Sequence, residues 1–586
     1  MYSKNWDLTP LYSGIDDPLV ELDLKKALKL AEEFEKKYRK NLETAKMVKD
    51  GLKDLEKILT MISKVRGYAY LLFSTDTQNG NYKQLLIKSE EFSTKIYEKT
   101  AFFELKLLKM EDDKFLEFLN SEELLEYKNY LKNLWREKSH KLSEREEILI
   151  EKKDLTGVDA FERLYSEITS DFTYTFEMDG EIKKLTGSEI RGLFYHPDEK
   201  VRERATITYY KKYEEFGKIL NSIYNNIIKD HAMECEIRKY SDPMEPTHIA
   251  NHIEKDTIDL MVDVITNSYS LVERYYRKKA ELLGKKKLKG SDLYAPMGKE
   301  LENIPYEEAA KMVIDAYGIF DEEFGNLAKN FFEKKWIDAE IKKGKMGGAY
   351  CYGISPEVNP FIMTNYNSKL RDVYTLAHEI GHGIHDIMAS KNSYLNFHPP
   401  LVVAETASVF GEMLLTEKLK NETKMKDVLL NILSSKIEDI IATVYRQIMY
   451  ILFEYRAHKR CQEGFLSEED MCNIWWEEME RMYGDSIEFF EVQKWNWSSI
   501  PHFFHYRFYC YAYSFGELFV ISLFKKYKEE ERENFIKNYK EILSSGGSKN
   551  PYQLAEIVGE NLNERSFWEK GIKFIEEMIE EFERFN

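Results

Sequence analysis

The chain has 586 residues, and its 43% hydrophobic and 32% charged residues are typical of a globular protein with a sizeable core. Its net charge of -18 disfavours nucleic acid as a partner and weakly favours neutral or basic ligands, and the simpler interpretation is a solvated acidic surface. No window of about 18 uncharged apolar residues occurs and no apolar segment follows Met1, so we expect no membrane span, no secretion signal and a cytoplasmic location.

The spacing of apolar residues predicts a mostly helical protein, built as two helical subdomains or as one large body with a cleft. Helical spacing runs through residues 18–153, among many lysines and glutamates. The alternating segment 172–182 predicts a small hairpin with its turn at the Asp-Gly pair 179–180. Helices are predicted again over residues 188–283, a further helix from residue 306, and long helices after residue 412.

A glycine pair and two short strands are predicted between residues 345 and 365. An edge strand can hold an extended peptide by strand addition, and neighbouring glycines leave room for the peptide backbone. We therefore predict that substrate is bound by Gly347, Gly348, Ala349 and Tyr350. The alternative is a purely structural hairpin.

The next predicted helix carries the motif around which the chain is organised. His378 and His382 stand four residues apart, so both imidazoles can reach one metal ion, and Glu379 can reach a metal-bound water. This HExxH pattern is typical of zinc hydrolases, whose catalytic sites use three protein ligands and leave one position open. His385 lies on the same stripe, and it either competes as a ligand or supports the ligands or the substrate.

Two glutamates on the following apolar segment are candidates for the missing ligand. Met388 occupies the position at which a metzincin has its third histidine. Glu405 and Glu412 lie seven residues apart on one face of a predicted helix that starts at residue 401. A carboxylate inside an apolar helix is costly to bury unless it is paired or bound to a cation, and a metal ion is such a cation.

An unusual density of aromatic residues with two histidines occupies residues 500–516. Such a stripe is either core packing or a source of hydrogen-bond donors for a developing oxyanion, and the residues alone leave both interpretations open.

Taken together, these motifs resemble the oligoendopeptidase F branch of the thimet oligopeptidase family of zinc metallopeptidases. The resemblance spans nearly the whole chain and is strongest from about residue 340 onward. The residues that carry it are Trp6-Asp7-Leu8, Gly348-Ala349-Tyr350, the segment 378–385, Ala404-Glu405-Thr406-Ala407-Ser408 with Glu412, Arg446-Gln447, Pro501-His502-Phe503 and Gly547-Ser548.

The resemblance implies a large helical body that encloses a deep channel, with a small β element beside the zinc helix. Residues 1–187 would form a helical channel wall and residues 188–586 the catalytic region. It further implies one zinc ion per chain and short peptides as substrates. In the family pattern the zinc ligands are His378, His382 and Glu405, the general base is Glu379, and the oxyanion is stabilised by His502 with a tyrosine, for which Tyr509 is the first candidate and Tyr506, Tyr511 and Tyr513 are the alternatives.

The predicted function is therefore hydrolysis of internal peptide bonds in short unstructured peptides, with Glu379 activating a zinc-bound water. One alternative is a metallocarboxypeptidase or dipeptidyl carboxypeptidase, which needs a cation for the substrate carboxylate, and Arg507 is a candidate. The other is a non-catalytic peptide-binding protein with a structural zinc. The sequence leaves the oligomeric state open.

Overall fold

The protein is described from a computed structural model that covers residues 2–178 and 180–586, without the side chain of Glu144. The chain is mostly helical with a few short strands, as the sequence predicts. It divides into two compact units. The first unit comprises residues up to 138, 300–422 and 523–561, and the second comprises residues 139–299, 423–522 and 562–586.

The first unit is built largely from helices. These are Pro18–Tyr38, Ala45–Thr75, Gly80–Thr100, Phe102–Leu108, Asp112–Leu119, Lys128–Arg136, Tyr306–Phe320, Glu322–Glu333, Leu370–Ala389, Leu401–Ala404, Thr406–Glu422, Arg532–Ser545 and Pro551–Ile557. The helices before residue 138 form an amphipathic set whose apolar stripes meet in a shared core. Leu24, Leu52, Val65 and Phe103 of that core are fully buried.

A three-stranded sheet belongs to the first unit. The central strand Phe361–Met363 pairs in parallel with Ile337–Asp338 and antiparallel with Tyr350–Tyr352. Tyr350–Tyr352 is therefore an edge strand of this sheet, with one long side that no other described strand covers. The two strands predicted between residues 345 and 365 are both present.

The second unit is also mainly helical. Its helices are Glu144–Asp154, Val158–Ser170, Gly187–Gly192, Glu199–Glu215, Gly217–Arg238, Glu245–Ala250, Lys255–Asn267, Tyr269–Leu282, Lys426–Ile440, the π-helical Ile441–Tyr445, Arg446–Cys461, Glu468–Tyr483, Pro501–His505, the part of Tyr511–Glu529 up to residue 522, and Arg565–Glu583. Short strands Leu288–Lys289 and Ile487–Glu488 pair in parallel.

The predicted hairpin is present in the second unit. Strand Tyr174–Met178 pairs antiparallel with Glu181–Leu185, and Met178 lies opposite Glu181. Gly180 has a φ of 79°, which suits a tight turn, whereas Asp179 lies outside the described residues. Among the described helices, none has the length and apolar character that a membrane crossing requires.

Both units are assembled from three separate stretches of chain. Residues 1–187, predicted as a channel wall, therefore divide between the two packing units at residue 138. The division into a wall and a catalytic region concerns function, and it stays a prediction, as does the channel.

Candidate metal centre

The helix Leu370–Ala389, here called the histidine helix, carries both motif histidines. Leu376, Ile380 and Ile384 recur at helical spacing and are fully buried, which fixes the face on which the helix packs. Asp372 caps its first turn, because its carboxylate accepts a hydrogen bond from the backbone N–H of Lys369 at 3.0 Å. The histidines consequently project from a helix whose position is set by its own core contacts.

The helix Thr406–Glu422, here called the glutamate helix, is buried along most of its length, and its last two residues are exposed. The sequence predicts one helix from residue 401, but the structure has a short helix, Leu401–Ala404, that ends before Glu405. The backbone of Glu405, with φ of -80° and ψ of 3°, forms the junction. Glu405 thus lies at the break between two helices, whereas Glu412 lies on the glutamate helix itself.

These two helices cross at very short range. A Cβ atom on Gly381 would lie 2.4 Å from the Ala407 carbonyl oxygen and 2.5 Å from the Ser408 Cα. On the facing helix, a Cβ atom on Gly411 would lie 3.2 Å from the Ala377 carbonyl oxygen. Only glycine permits this approach, and the approach brings Glu405 to the histidines.

Three potential ligand atoms meet at this crossing. Nε2 of His378 and Nε2 of His382 are 3.2 Å apart, and each lies 3.3 Å from Oε2 of Glu405. These three atoms, here called the ligand triangle, are the only His, Cys, Asp and Glu set within the described residues that is grouped closely enough to hold a metal ion.

The ligand triangle fits zinc. A tetrahedral zinc site with bonds of about 2.0–2.1 Å has ligand-to-ligand edges of about 3.3–3.4 Å, so the observed edges match one face of that tetrahedron. Two imidazole nitrogens and one carboxylate oxygen are also zinc's usual donors, and the fourth corner has no ligand in this set. This arrangement is typical of a catalytic rather than a structural site.

Neighbouring groups hold each ligand in place. Nδ1 of His378 lies 2.7 Å from Oε1 of Glu412, which fixes the ring and directs Nε2 into the triangle. The Ser408 hydroxyl donates to Oε2 of Glu405 at 2.5 Å. The buried ring of His385 hydrogen-bonds to the Ala404 carbonyl, next to Glu405. His385 thus contacts the backbone next to Glu405, and its role toward the ligands or the substrate stays a prediction.

The charges around the triangle suit a cation. Burial would lower the pKa of His378, but its hydrogen bond to Glu412 and the nearby carboxylates raise it to about 9. Burial would raise the pKa of Glu405, but the hydrogen bond with His382 and the charge of both histidines lower it to about 2. A metal ion would replace the proton on His378 as the positive charge.

Glu379 lies between the triangle and the edge strand. Its side chain is 7% exposed, and burial raises its pKa above the ordinary value. The backbone N–H of Cys351, in the edge strand Tyr350–Tyr352, hydrogen-bonds to its carboxylate. Two turns further along the histidine helix, a Cβ on Gly353 would lie 2.3 Å from Oδ2 of Asp386, so the strand follows the helix closely.

The predicted peptide-binding segment is anchored at both ends. The Tyr350 hydroxyl lies 2.6 Å from the Ser74 Oγ, and Nδ2 of Asn365 donates to the Gly348 carbonyl at 3.1 Å. Gly347 and Gly348 are exposed, and Gly348 has a φ of 82°, which favours glycine. Ala349 and Tyr350 are partly exposed. Binding of substrate by these four residues remains a prediction.

In the second unit, His502 lies within a cluster of tyrosines. Its Nε2 is 3.3 Å from the Tyr513 hydroxyl, and its ring stacks on Tyr509 with 5.9 Å between centroids. Tyr506 joins the cluster, with its ring centroid 5.7 Å from that of Tyr509. Burial lowers the pKa of His502, so its ring is neutral at pH 7 and can donate or accept a hydrogen bond.

Tyr511 is the one tyrosine alternative that the structure separates from this cluster. It is fully buried, and its hydroxyl accepts a hydrogen bond from Nδ2 of Asn251 at 2.9 Å and lies 3.2 Å from Nδ1 of His248. These contacts hold the Tyr511 hydroxyl among buried side chains of the second unit, and its role as an alternative donor stays a prediction.

Comparison with known proteins assigns the chain. The sequence profile of peptidase family M3 matches residues 193–574, and the profile of oligopeptidase F matches residues 106–174. The chain belongs to peptidase family M3. The predicted resemblance to its oligoendopeptidase F branch is confirmed, and the protein is a peptidase.

Relatives of this M3 peptidase match along most of their length. An oligoendopeptidase F homologue of Borreliella burgdorferi is 28% identical, over 99% of this chain and 98% of the relative. Oligopeptidase PepF of Bacillus subtilis is 28% identical, and the match covers 93% of this chain and 82% of that relative. The crystal structure of oligoendopeptidase F from Enterococcus faecium has a TM-score of 0.71 at 25% identity, and the match covers 96% of this chain and 97% of that one.

Some supporting groups in this M3 peptidase were not predicted from the sequence. Ser408 stands three residues after Glu405, a spacing from which a hydroxyl can reach back to a carboxylate, so the signal was present. The contact between the Cys351 N–H and Glu379 has no sequence signal, because a backbone donor is common to almost every residue type.

Proposed function

We propose that this chain is a zinc-dependent endopeptidase that hydrolyses internal bonds of short unstructured peptides, with Glu379 as the general base. The observation that carries the proposal is the ligand triangle, whose edges of 3.2 and 3.3 Å fit zinc and whose fourth corner has no ligand among the described residues. Membership of family M3 and the relatives named oligoendopeptidase F support it.

The chemistry divides between the ion and the chain. Zinc, if bound by His378, His382 and Glu405, would act as a Lewis acid and lower the pKa of a water bound to it to about 7. Glu379 accepts the proton of the attacking water and delivers it to the leaving amine nitrogen. Its raised pKa brings the carboxylate nearer to the range in which both transfers are possible at neutral pH. The Cys351 N–H keeps that carboxylate in one orientation.

The edge strand provides a route for binding a peptide in extended form. The Cys351 N–H already donates to Glu379, so a peptide strand would pair with the other backbone groups on the uncovered side of Tyr350–Tyr352. The exposed Gly347 and Gly348 leave room beside it. Because main-chain hydrogen bonds are independent of sequence, this mode suits an enzyme that accepts many peptides. We assign Ala349 and Tyr350 to the same surface.

His502 and Tyr509 are proposed as donors to the oxyanion of the tetrahedral intermediate. The neutral ring of His502 and the stacked phenol of Tyr509 are both suited to donate, and loss of one such donor typically costs about 100- to 1000-fold in rate. Tyr513 is the first alternative, because its hydroxyl lies 3.3 Å from Nε2 of His502.

The test is mass spectrometry of a pool of unstructured peptides incubated with zinc-loaded wild type, Glu379→Gln and Glu422→Gln. Glu422 lies on the glutamate helix and its side chain is 60% exposed, so its substitution is a matched control. We expect internal cuts by wild type and by Glu422→Gln, and none by Glu379→Gln. Stepwise trimming from the C-terminus would instead identify a carboxypeptidase, and absence of cleavage by zinc-loaded wild type would favour a peptide-binding protein.

A further inference from the structure

A cavity of about 370 Å³ in the second unit differs in charge from the rest of the molecule. Arg191 and Arg446 line it, and none of its described lining residues is an aspartate or a glutamate. The whole chain has 103 acidic and 85 basic residues, so a cavity wall with two arginines and no carboxylate is unexpected. Such a wall favours a negatively charged ligand.

Arg446 is a partly buried cation without an acidic partner. Its Nη1 donates to the Tyr294 hydroxyl, and none of the ion pairs formed by the described residues includes it. Arg507, the cation considered from the sequence, is already paired, because its Nη1 lies 2.5 Å from Oε1 of Glu162. A charge away from water is costly unless a counter-ion accompanies it, and a ligand can supply that counter-ion.

The backbone before Arg446 has an unusual conformation. Ile441–Tyr445 is π-helical, a rare form that is frequent at functional sites, and it leads directly into the helix Arg446–Cys461. Nε of Arg446 and Oε1 of Gln447 are both shielded from solvent and have no hydrogen-bond partner in the described part of the chain. Unpaired polar atoms of this kind are rare, and here two consecutive cavity-lining residues carry them.

The cavity also has a volume and a lining that suit the end of a peptide. Tyr450 and Trp475 give it apolar, aromatic surface, and His502, the proposed oxyanion donor, lies on the same wall. A cavity that combines apolar walls with few polar groups is typical of ligand sites.

We propose that this cavity binds the C-terminal carboxylate of the substrate peptide, with Arg446 as its cation and Gln447 as the acceptor of a peptide N–H. This inference rests on the proposed function, since it takes a peptide as the ligand. A guanidinium matches a planar carboxylate with two parallel hydrogen bonds. The net charge of -18 disfavours acidic peptides, whereas a C-terminal carboxylate is present on every unblocked peptide.

The test compares two fluorescently labelled peptides that differ only in a free or an amidated C-terminus. Their Kd values are measured by anisotropy with the zinc-loaded full chain in which Glu379→Gln keeps the peptides intact, and this chain is the wild-type reference in which only the residue at position 446 or 277 is then varied. A hydrogen-bonded charge pair corresponds to about 10- to 150-fold in affinity, so wild type should prefer the free acid by that factor. Arg446→Gln should bind both peptides equally, and Arg446→Lys should keep part of the preference, because the charge remains without the planar fork.

Arg277→Gln is the control, since Arg277 is an exposed arginine of the same unit that pairs with Glu273 at 2.7 Å. It should keep the wild-type ratio of Kd values. Equal affinity of wild type for both peptides, or an acid preference retained by Arg446→Gln, would overturn the inference. So would tight, Arg446-dependent binding of an amidated peptide that ends in glutamate, because the site would then bind side-chain carboxylates.

Hydrolysis of both peptides is scored separately from binding. Cleavage without any acid preference in Kd would contradict this inference and leave the proposed function standing. A lower Kd for the free acid without any cleavage would support this inference and contradict the proposed function. Circular dichroism and Tm of the Arg446 variants verify that each is folded, and Arg446→Lys gives the decisive comparison if Arg446→Gln is not.

Discussion

At the scale of single residues, His378 shows how a ligand is prepared before any metal binds. Oε1 of Glu412 lies 2.7 Å from Nδ1 of His378, so Nε2 is the ring nitrogen that faces Glu405. Ligating histidines in proteins commonly have such a partner on the second nitrogen, which fixes the tautomer and raises the basicity of the ligand. The orientation of His378 therefore depends on a residue outside the ligand triangle.

Glu412→Gln should lower zinc affinity about 10- to 100-fold, because the amide no longer provides a charged acceptor for the ring. The measurement is zinc competition against a chromogenic chelator, and the control is Glu422→Gln on the same helix. Equal zinc affinity in the Glu412 variant and the control would show that the contact does not tune the ligand.

Glu454 is a fully buried glutamate of the second unit. Its Oε1 accepts the backbone N–H of Phe508 at 2.9 Å, and Phe508 has a φ of 54°, a left-handed conformation that is unusual for a bulky residue. Burial raises the pKa of Glu454 to about 8. The carboxyl thus stabilises the strained turn that precedes Tyr509.

The folded protein should lose stability relative to Glu454→Gln as pH rises from about 4.5 to 8. In this window Glu454 keeps its proton in the folded state and releases it in the unfolded state, so higher pH favours unfolding by up to about 1.4 kcal/mol per pH unit. The Gln side chain keeps an acceptor for Phe508 and does not titrate. Urea unfolding at pH 5 and pH 8 measures the difference.

A matched control for this prediction is Glu463→Gln, since Glu463 is an exposed residue of the same unit. It should follow wild type at both pH values. A constant difference in unfolding free energy between wild type and Glu454→Gln would mean that Glu454 is ionised in the folded protein.

The candidate site residues could be proposed from the sequence, whereas their surroundings could be proposed only in part. His378, Glu379 and His382 follow from helical spacing, and Glu405 and Glu412 are acids in an apolar segment. Arg446 was recognised as part of a family motif, but the sequence did not suggest a role for it. Whether an arginine has a counter-ion depends on which side chains surround it in the folded protein. A pair of charges distant in sequence leaves no local pattern.

At the scale of secondary-structure elements, the crossing of the histidine and glutamate helices determines the metal centre. The elements themselves were predictable, since both helices have strong apolar patterns. The break at Glu405 was not, because Val403 to Ala407 contains no glycine or proline that would signal it. The π-helical Ile441–Tyr445 was likewise invisible, as its composition is that of an ordinary helix.

Gly381→Ala should both destabilise the first unit and weaken zinc binding. The added Cβ would lie 2.4 Å from the Ala407 carbonyl oxygen, so the helices must separate, at a cost of about 1–3 kcal/mol. Differential scanning calorimetry and zinc titration report the two effects. Gly80→Ala is the control, because a Cβ there has no atom within 4 Å. A Gly381 variant with wild-type Tm would contradict the close crossing.

At the scale of the whole molecule, the candidate metal centre is positioned by protein contacts. Its ligands come from helices with their own buried cores and from hydrogen bonds among protein groups. This distinguishes the protein from small zinc domains, in which metal binding supplies the folding free energy.

Chelation should therefore abolish hydrolysis and lower Tm while far-ultraviolet circular dichroism keeps its helical signal. The drop in Tm reflects lost ligand binding to the folded state, and added zinc should restore both properties. Glu379→Gln should show the same change in Tm without activity, which separates zinc binding from catalysis. Loss of helical signal on chelation would mean that the ion is structural.

The assembly of each unit from three stretches of chain affects how the protein is made. The first unit is completed only by residues 523–561 and the second only by residues 562–586. At roughly 5–20 residues per second, the ribosome needs tens of seconds to pass from residue 138 to residue 422, and the amphipathic N-terminal helices emerge long before their partners. The first unit cannot finish folding before residue 561 is made, nor the second before residue 586, so the nascent chain exposes apolar surface that chaperones would bind.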